Sequence, residues 1–531
     1  MIPILSAQET LKNEAETISS GIDSLSLMES AGRSVAERIL EAYSKSKKIV
    51  ILAGPGNNGG DGLVVAKYLQ KAKKKVSVIF AASQKYSDEF LYQISKIKFE
   101  DLSFYGPQEL FQEGLVISQF SKITDLALRK KISDADILVD ALLGVKQITA
   151  PRGLIADLIN ISNSALRNAF IIAVDLPTGM DPTTGEVFEP HIQADETVTL
   201  GNPNRGLFQY PAKDMCGEIT LINIGLAPIE SAEFYLFPKP SNLPITIERS
   251  QNSHKNSYGT VLVIGGSENM PGAPILTARA ALRSGAGKVL FVCEKGSQHI
   301  IASSNPEFLF LPVRYENGCL GKSAEVAILN HLPSVDSIVI GPGMGVGRPQ
   351  EELLQSILVA AKYHKKTVVL DADALRNIQG LFISGGYKEI LPEVVLTPHP
   401  GEAAALLGIS IIDVQKDRFT AAKILKAATP GCVVLKGAGT VVIDDKNNGF
   451  VDMEGTVALA TAGSGDVLAG IIAARIGMGD SLSNAVLGAV LLHGRAAYAA
   501  TSDIEESTVS RPIIASDIIN AIPDAYISFG V

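Results

Sequence analysis

Short runs rich in β-branched residues alternate with longer helix-like stretches along most of the chain. The predicted strands of the first part are 49–53, 75–80, 137–139, 170–174, 197–200 and 219–222. Those of the second part are 261–264, 288–293, 337–340, 367–370, 394–396, 432–436 and 440–443. Strands separated by helices predict parallel sheets with crossover connections, and therefore a doubly wound α/β fold. No repeat of fixed period is present, so a solenoid is not expected.

The length of the chain predicts more than one domain. Its 531 residues exceed the size at which a single hydrophobic core keeps growing. The stretch 226–244, "LAPIESAEFYLFPKPSNLP", carries four prolines and no periodic pattern. Because proline interrupts helix interiors and central strands, this stretch is the best candidate for a linker. We therefore expect domains at 1–226 and 245–531, joined by a linker at 227–244.

Composition and charge exclude several classes of protein. With 46% hydrophobic and 19% charged residues the chain is globular, and its net charge of -9 argues against general nucleic-acid binding. The four cysteines, Cys216, Cys293, Cys319 and Cys432, show no CxxC spacing, which suits a reducing compartment and gives no zinc site. Neither a signal peptide nor an apolar run of membrane-spanning length is evident. We expect a cytoplasmic protein that contacts no membrane.

The stretch "GPGNNGGDG" (54–62) stands between a predicted strand and a predicted helix. Gly54, Gly56 and Gly59 match the dinucleotide pattern G-x-G-x-x-G. Such a site also needs an acid near the end of the next strand, but the first acid after it is Asp88, well beyond that strand. An ordinary nicotinamide-dependent dehydrogenase is therefore not favoured.

Polar residues follow several predicted strands of the first part. Asn58 lies after the first strand, Asp140 closes "ILVD", Asp175 closes "IIAVD", and Thr178 comes just beyond it. The carboxyl ends of parallel strands share one edge of a sheet, so these groups can converge as oxygen ligands for a hard cation. Each residue alone could equally cap a helix or form a turn. The combination of the three segments favours a functional site.

These segments resemble the signatures of the NAD(P)H-hydrate epimerase domain, in "GPGNNGGDGLVVAKYL", "LVDALLGV", "PRG" and "AVDLPTGMDPTTGEV", with a match over about 1–226. The resemblance implies interconversion of the R and S forms of hydrated nicotinamide cofactors, with Asp175 as the acid–base group. It implies substrate contacts at Asn57, Asn58, Gly59, Gly60, Asp61, Gly144, Val145, Lys146, Gln147, Ile148, Thr149, Ala150 and Asp175. It implies potassium ligands at Asn58, Asp140 and Thr178. Two positions depart from the usual family pattern: Lys146 replaces a glycine, and Thr178 replaces a serine.

The second part contains the glycine-rich stretch "ATAGSGDVLAGIIAARI" (460–476) at the predicted start of an apolar helix. The amides of Gly463, Ser464 and Gly465 can form an anion hole, and Asp466 can accept a proton from an attacking hydroxyl. The alternative is that Asp466 only stabilises the helix start, by roughly 0.3–1 kcal/mol. The neighbouring glycines favour catalysis. "VLKGAGT" (434–440) suits a nucleotide but is not a Walker motif.

The "GSGD" element, together with "GPGMG" (341–345), "LDADAL" (370–375) and "LTPHPGEAAALLG" (396–408), resembles the ADP- or ATP-dependent NAD(P)H-hydrate dehydratases of the ribokinase-like fold. The resemblance covers about 245–531 and implies that Asp466 is the catalytic base. The implied hydrate contacts are Ala273, Gly343, His399 and Asp466. The implied nucleotide contacts are Lys436, Gly437, Ala438, Gly439, Thr440, Gly463, Ser464 and Gly465. Magnesium is expected on the phosphates, with Glu402 as a possible additional ligand.

The two resemblances together imply a bifunctional repair enzyme. Its expected fold class is α/β with two doubly wound domains, an N-terminal Rossmann-like three-layer sandwich and a C-terminal ribokinase-like domain. Expected ligands are NADHX or NADPHX, ADP or ATP, potassium and magnesium, and we expect a homo-oligomer without nucleic-acid partners. The alternative is a small-molecule kinase fused to a catalytically silent binding module.

Overall fold

The computed structural model of the protein describes residues 1–96, 101–111, 120–165, 169–238, 250–385, 390–501 and 512–529. The chain divides into two compact units, Pro3–Phe234 and Tyr235–Val531, and Met1–Ile2 group with the second. The division falls within the predicted linker. Residues 239–244 of that linker, and residue 245 at the predicted start of the second domain, lie outside the described residues.

The first unit contains one parallel sheet. Its strands are β2 (Lys48–Ala53), β3 (Lys75–Ala81), β4 (Leu102–Tyr105), β5 (Ser121–Lys122), β6 (Ile137–Ala141), β7 (Phe170–Val174), β8 (Glu196–Leu200) and β9 (Glu218–Ile222). The two-residue strand β1 (Pro3–Ile4) also belongs to this unit but lies outside this sheet. Strands β2 to β9 pair in the order β5-β4-β3-β2-β6-β7-β8-β9, and all neighbours are parallel. The strand order reverses between β2 and β6, and ligands bind at such a switch point in open α/β sheets.

Helices cover both faces of this sheet. They are Ala7–Ser19, Ser24–Ala42, Asn57–Lys71, Asp88–Lys96, Asp125–Ser133, Gly153–Ala165 and Ala212–Met215. Ile51 of β2 packs in one hydrophobic cluster with the helices Ser24–Ala42 and Asn57–Lys71, whereas Leu52 packs in a second cluster with Asp125–Ser133 and Gly153–Ala165. Successive side chains of a strand point to opposite faces, so a strand buried on both sides is apolar throughout. The unit is a three-layer sandwich.

The second unit is built on a larger mixed sheet. Its strands are β10 (Phe234–Leu236), β11 (Thr260–Ile264), β12 (Lys288–Glu294), β13 (Leu309–Val313), β14 (Ser337–Ile340), β15 (Thr367–Leu370), β16 (Val394–Leu396), β17 (Cys432–Leu435), β18 (Thr440–Ile443) and β19 (Gly449–Asp452). From β10 the order is β10-β19-β18-β17-β16-β15-β14-β11-β12-β13. Neighbours from β17 to β13 are parallel, whereas β17, β18 and β19 pair antiparallel.

One large apolar cluster joins this sheet to the helices Gly272–Arg283, Ser464–Gly477, Leu482–Thr501 and Ala515–Ser528. The other helices of the second unit are Gln298–Ser304, Glu325–His331, Arg348–Tyr363, Asp373–Asn377, Gln379–Ser384, Pro400–Leu407, Ile411–Lys416 and Arg418–Ala427. Within the described part of the chain, no helix combines the length and the apolar character that crossing a bilayer requires.

The predicted fold class is confirmed, and every strand predicted from the sequence is present. The expectation of parallel pairing is wrong for β17 and β18, because the four residues 436–439 between them are too few for a crossover connection, which needs about a dozen or more. The sequence reading missed β1, β4, β5, β10, β13 and β19. Of these, β13 contains Pro312 and lies at the edge of its sheet, where proline is tolerated. The strand β10 lies within the predicted linker, on the proline-free run "FYL".

Candidate active sites

The glycine-rich stretch 54–62 joins β2 to the helix Asn57–Lys71. A Cβ atom on Gly54 would lie 1.8 Å from the carbonyl oxygen of Leu142, and one on Gly59 would lie 1.8 Å from the carbonyl oxygen of Gly54. Neither separation leaves room for a side chain. Only glycine therefore lets the start of this helix pass so close to the loop that follows β6.

A chain of hydrogen bonds connects the three predicted potassium ligands. The side-chain amide of Asn58 donates to the carbonyl oxygen of Leu143 at 2.9 Å, and the backbone N–H of Leu143 donates to Thr178 Oγ1 at 3.1 Å. The Thr178 hydroxyl and backbone N–H each donate to the Asp140 carboxylate at 2.7 Å. The structure thus brings Asn58, Asp140 and Thr178 together at the carboxyl edge of the sheet.

The same three residues offer oxygen atoms in a dry environment. Asp140 and Thr178 are fully buried, and the Oδ1 atom of Asn58 is buried without a hydrogen-bond partner among the described residues. Burial raises the pKa of Asp140 to about 6, although hydrogen bonds from Thr178 and from the Leu142 amide lower it. A buried carboxylate and an unsatisfied amide oxygen both favour a nearby cation. One carboxylate, one amide and one hydroxyl fit a weakly charged, oxygen-seeking ion.

A cavity of about 630 Å³ opens at the switch point between β2 and β6. Its predicted lining residues are Asn57, Asn58, Asp61, Gly144, Val145, Lys146, Gln147, Ile148, Thr149, Ala150 and Asp175. The volume lies in the range of small-molecule and cofactor sites. Gly59 and Gly60, which were also expected to contact substrate, lie buried in the first helical turn and do not line the cavity.

The loop 144–150 is fastened to the segment after β7. The Gln147 side-chain amide donates to the Pro177 carbonyl oxygen at 3.0 Å, and its Oε1 accepts from the Gly179 N–H at 2.8 Å. A Cβ atom on Gly144 would lie 3.3 Å from Asn58 Cβ and 3.4 Å from Asp175 Oδ2. The loop is therefore held directly against two of the predicted functional side chains.

Asp175 follows β7 in a left-handed backbone conformation, with φ at 67°. Non-glycine residues rarely adopt this conformation, and it concentrates at functional sites. Burial, followed by the charge of Glu14, raises the pKa of Asp175 to about 7, although a backbone hydrogen bond from Leu200 lowers it. Burial and the charge of Asp175 hold the pKa of Asp61 well above its ordinary value. Of these two carboxyl groups, Asp175 is therefore the one suited to exchange protons near neutral pH.

The second site lies where β15, β16 and β17 end side by side. Asp371 follows β15, and its Oδ1 accepts hydrogen bonds from the Thr397 hydroxyl at 2.8 Å and from Lys436 Nζ at 2.7 Å. Lys436 Nζ also lies 4.0 Å from Glu402 Oε2. Burial lowers the pKa of Lys436, but the charges of Asp371 and Glu402 raise it more, so that it lies above its ordinary value. The lysine remains a partly buried cation.

The start of the helix Ser464–Gly477 lies against this lysine. A Cβ atom on Gly465 would lie 3.0 Å from Lys436 Nζ. Gly463, with φ at 86°, turns the chain into the helix in a conformation that other residues rarely adopt. Burial, then the charge of Asp371, raises the pKa of Asp466 to about 7, although Lys436 lowers it. Asp466 is thus a carboxyl group tuned to neutral pH beside a fixed positive charge.

The hydroxyl and the backbone N–H of Ser464 both have hydrogen-bond partners within the protein, which the sequence did not predict. Its hydroxyl is 3.1 Å from Nε2 of the buried His493, and its backbone N–H donates to the Thr461 carbonyl oxygen at 3.3 Å. Burial lowers the pKa of His493 to about 4, so this imidazole is neutral at physiological pH. One of the three amides expected to form the anion hole therefore already has an acceptor within the protein.

Two of the residues expected to contact the hydrate in the second unit, Ala273 and Gly343, lie on neighbouring segments. A Cβ atom on Gly343 would lie 2.6 Å from the Met270 carbonyl oxygen and 3.4 Å from Ala273 Cβ. His399 caps the helix Pro400–Leu407, since its Nδ1 accepts from the N–H groups of Gly401 and Glu402 at 3.0 and 3.2 Å. Its side chain is 56% exposed, and its Nε2 lies 3.4 Å from Glu402 Oε1.

Comparisons with known proteins assign both units. Residues 24–206 match the family described as YjeF-related protein N-terminus, and residues 261–520 match the family described as NAD(P)H-hydrate dehydratase. A bifunctional NAD(P)H-hydrate repair enzyme from Moorella thermoacetica is 34% identical over 516 residues, which cover 94% of this chain and 92% of that relative. The chain belongs to the bifunctional NAD(P)H-hydrate repair enzymes. The repair enzyme of Coxiella burnetii is 32% identical, with 95% of each chain covered.

A solved structure is also similar to part of this chain. The ADP/ATP-dependent NAD(P)H-hydrate dehydratase of Bacillus subtilis, co-crystallised with ATP and Mg²⁺, is 29% identical and has a TM-score of 0.44. It covers 55% of this chain, and 96% of its own length is matched. Family membership confirms the enzyme class expected from the sequence, and it does not favour the alternative of a kinase fused to a silent module.

The sequence analysis did not predict three residues that the structure places at the candidate sites. Glu14 lines the first cavity, but it belongs to a helix outside the recognised motifs. Asp371 follows its strand just as Asp175 does, so the rule used for the first unit could have found it. Arg418 donates from Nη2 to the carbonyl oxygens of Leu435 and Gly439 at 3.1 and 3.3 Å and so supports the turn after β17. Nothing in the sequence distinguishes this arginine from a surface residue.

Proposed function

We propose that the first unit interconverts the R and S epimers of NADHX or NADPHX in the 630 Å³ cavity, with Asp175 as an acid–base group. The observation that carries the proposal is the position of the Asp175 carboxyl at the cavity wall, where burial and the charge of Glu14 raise its pKa to about 7. The hydrate bears its hydroxyl on the carbon next to the ring nitrogen, so inversion needs only proton transfers through a planar or ring-opened species. A carboxyl group with a pKa near the working pH suits that role.

Potassium suits the neighbouring group of oxygens. Asn58, Asp140 and Thr178 would hold the ion, as the buried Asn58 Oδ1 without a partner among the described residues supports. The bound cation would neutralise the Asp140 carboxylate and fix the adjoining loops. Asn57 and the loop 144–150 contact the substrate from the cavity wall, and Lys146 offers a positive charge to its phosphates.

The second unit, in this proposal, dehydrates the S epimer with ADP or ATP. Hydroxide is a poor leaving group, whereas phosphate is a good one. Asp466 removes the proton of the hydrate hydroxyl as its oxygen attacks the terminal phosphoryl group of the nucleotide. The ring-nitrogen lone pair then expels phosphate, and loss of a proton from the adjacent carbon gives NADH or NADPH. Lys436 balances charge that develops on the phosphoryl group.

The nucleotide is proposed to lie between the turn 436–440 and the start of the helix Ser464–Gly477. These two segments meet in the structure, since Gly465 approaches Lys436 Nζ. Magnesium would be bound mainly by the phosphates, with the Glu402 carboxylate as a nearby oxygen donor. Ala273, Gly343 and His399 are proposed to form the hydrate side of the site. A homo-oligomeric state and a cytoplasmic location stay predictions.

The test uses the full chain with a mixture of both hydrate epimers, magnesium, and ADP or ATP. Recovery of reduced-nicotinamide absorbance is followed together with release of inorganic phosphate, and spontaneous epimerisation is measured without enzyme. The proposal predicts complete recovery, with one phosphate released for each molecule of NADH or NADPH formed. Recovery that stops at the fraction initially present as the S epimer would contradict the epimerase assignment. Persistence of a phosphorylated hydrate would contradict the dehydratase assignment and indicate a kinase.

A further inference from the structure

The helix Ala7–Ser19 forms one wall of the epimerase cavity. Leu11, Glu14 and Ile18 line the cavity, and their spacing places them on one face of the helix. The helix begins with a capping box in which Ser6 Oγ accepts from the Glu9 N–H at 3.2 Å. It ends before residue 24, where the match to the family begins. The helix therefore contributes to the site without belonging to the recognised motifs.

Hydrogen bonds on another face of this helix fix its position. Asn204 donates to Thr10 Oγ1 at 2.9 Å, Asn13 Nδ2 donates to the Ala227 carbonyl oxygen at 3.0 Å, and the Ala227 N–H donates to Thr17 Oγ1 at 2.9 Å. Thr10, Asn13 and Thr17 are all buried. Successive turns of the helix are thus anchored to the loops after β8 and β9. Glu14 therefore lies on a helix whose position beside the cavity is fixed by hydrogen bonds.

Acidic and basic side chains line the cavity together with Glu14. They are Asp61, Glu89, Lys146, Arg152 and Asp175. Burial raises the pKa of Glu14 and the charge of Lys146 lowers it, while Glu14 in turn raises the pKa of Asp175. Burial, followed by the charges of Asp175, Glu14 and Glu89, holds the pKa of Asp61 well above its ordinary value.

Glu14 and Asp175 differ in their surroundings. Both carboxyl groups line the cavity and both are partly buried, but only Glu14 has the Lys146 cation among the charges that act on it. Two carboxyl groups of one site whose environments separate their proton affinities are suited to opposite roles as acid and base. Burial raises the pKa of Glu14 above its ordinary value while Lys146 favours its ionised form, and a pKa of about 7 lets Asp175 keep a share of its proton at neutral pH.

We propose that Glu14 is the second proton-transfer residue of the epimerase site and works as the base opposite Asp175. This inference rests on the epimerase function proposed above. The cavity, the unpartnered and buried Asn58 Oδ1 at its edge, and the anchored helix that carries Glu14 support it together.

The proposed step is a reversible opening of the hydrated ring. Glu14 takes the hydroxyl proton, and the oxygen electrons form a carbonyl bond. The bond between that carbon and the ring nitrogen breaks, its electron pair goes to nitrogen, and Asp175 supplies the proton that nitrogen then needs. Rotation about the adjoining carbon–carbon bond exposes the other face of the aldehyde. Ring closure returns the proton to Asp175, and the Glu14 proton returns to oxygen, so atoms and electrons balance without another reactant.

The test compares Glu14→Gln with Glu16→Gln in the full chain. Glu16 lies on the same helix, but its side chain is 62% exposed. A single hydrate epimer is supplied without nucleotide, and its conversion to the other epimer is followed by chromatography across the pH range. We expect Glu14→Gln to lower kcat by about 100- to 10,000-fold and to remove the acidic limb of the profile. Glu16→Gln should match the wild type, and both variants should dehydrate the S epimer normally.

A second variant separates proton transfer from a structural role. Lys146→Met removes the cation that lowers the pKa of Glu14. The acidic limb should therefore move to higher pH, because the base must be ionised to act. A Glu14→Gln enzyme with the wild-type rate and acidic limb, or an unchanged limb in Lys146→Met, would overturn the inference. A wild-type enzyme that dehydrates but does not epimerise would instead overturn the proposed epimerase function, and this inference with it.

Discussion

Asp175 and Asp466 both have a raised pKa, although they occupy different backbone contexts. Asp175 follows a strand in a left-handed conformation, whereas Asp466 lies in the first turn of a helix. Burial raises the pKa of each to about 7. A carboxyl group with a pKa near 7 can accept and release protons at physiological pH. An exposed aspartate, whose pKa is about 4, is almost fully ionised at that pH and is therefore a poor proton donor.

The pH dependence of dehydration follows from Asp466. A base must be ionised to accept a proton, and the raised pKa moves its ionisation from about 4 for an exposed aspartate to about 7. The dehydration rate of the S epimer at saturating nucleotide should therefore rise with pH up to about 7 and then level off. Asp466→Asn should lower kcat by about 100- to 10,000-fold. Single-turnover kinetics with pure S epimer would check both results, and an unchanged rate in Asp466→Asn would contradict the role of the base.

The raised pKa of Asp175 also lowers the free energy of unfolding of the wild type at high pH. Its folded-state pKa of about 7 lies above the unfolded value of about 3.9, so its contribution to stability is complete below pH 4 and is lost as pH rises through 7. Asp175→Asn cannot ionise. The variant should therefore have a higher free energy of unfolding than the wild type at pH 8, by as much as roughly 4 kcal/mol, and little advantage near pH 4. Denaturant unfolding at both pH values tests this, and equal destabilisation at both would contradict it.

At the scale of the element, the positions of the two sites follow from parallel strands ending together. The sequence could predict this, since strand-like runs followed by Asp140, Asp175 and Lys436 were visible in it. The antiparallel pair β17 and β18 was not anticipated, because a glycine-containing connection resembles a ligand loop and a hairpin turn equally. Glu14 was missed because contact across the cavity depends on packing that no local pattern encodes.

The first turn of the helix Asn57–Lys71 offers a matched pair of glycine variants. A Cβ atom on Gly59 would meet the backbone of Gly54, whereas one on Gly56 would meet nothing within 4 Å. Gly59→Ala should destabilise the first unit by about 1–3 kcal/mol or more and reduce epimerisation. Gly56→Ala, at an extended residue, should be neutral or stabilising by about 0.4–1 kcal/mol. Thermal unfolding checks the pair, and equal effects would show that the close backbone approach does not constrain this turn.

At the scale of the whole molecule, each compact unit carries its own group of candidate functional residues. The sequence predicted this arrangement from its two sets of motifs and from its proline-rich stretch, whose described part contains the division between the units. The existence of two doubly wound folds was predictable because periodicity and glycine placement are local signals. The proton affinities of the site residues were not, because they depend on burial and on charges distant in sequence.

The central claim is that two distinct sites in one chain act in succession on the two hydrate epimers. It is tested most directly by mixing full-length Asp175→Asn with full-length Asp466→Asn and following reduced-nicotinamide recovery from mixed epimers. Asp175→Asn alone should stall once the S epimer is consumed, apart from spontaneous epimerisation, and Asp466→Asn alone should recover almost nothing. The mixture should reach complete recovery, because each variant supplies the activity that the other lacks. A mixture that stalls at the level of Asp175→Asn alone would contradict the account.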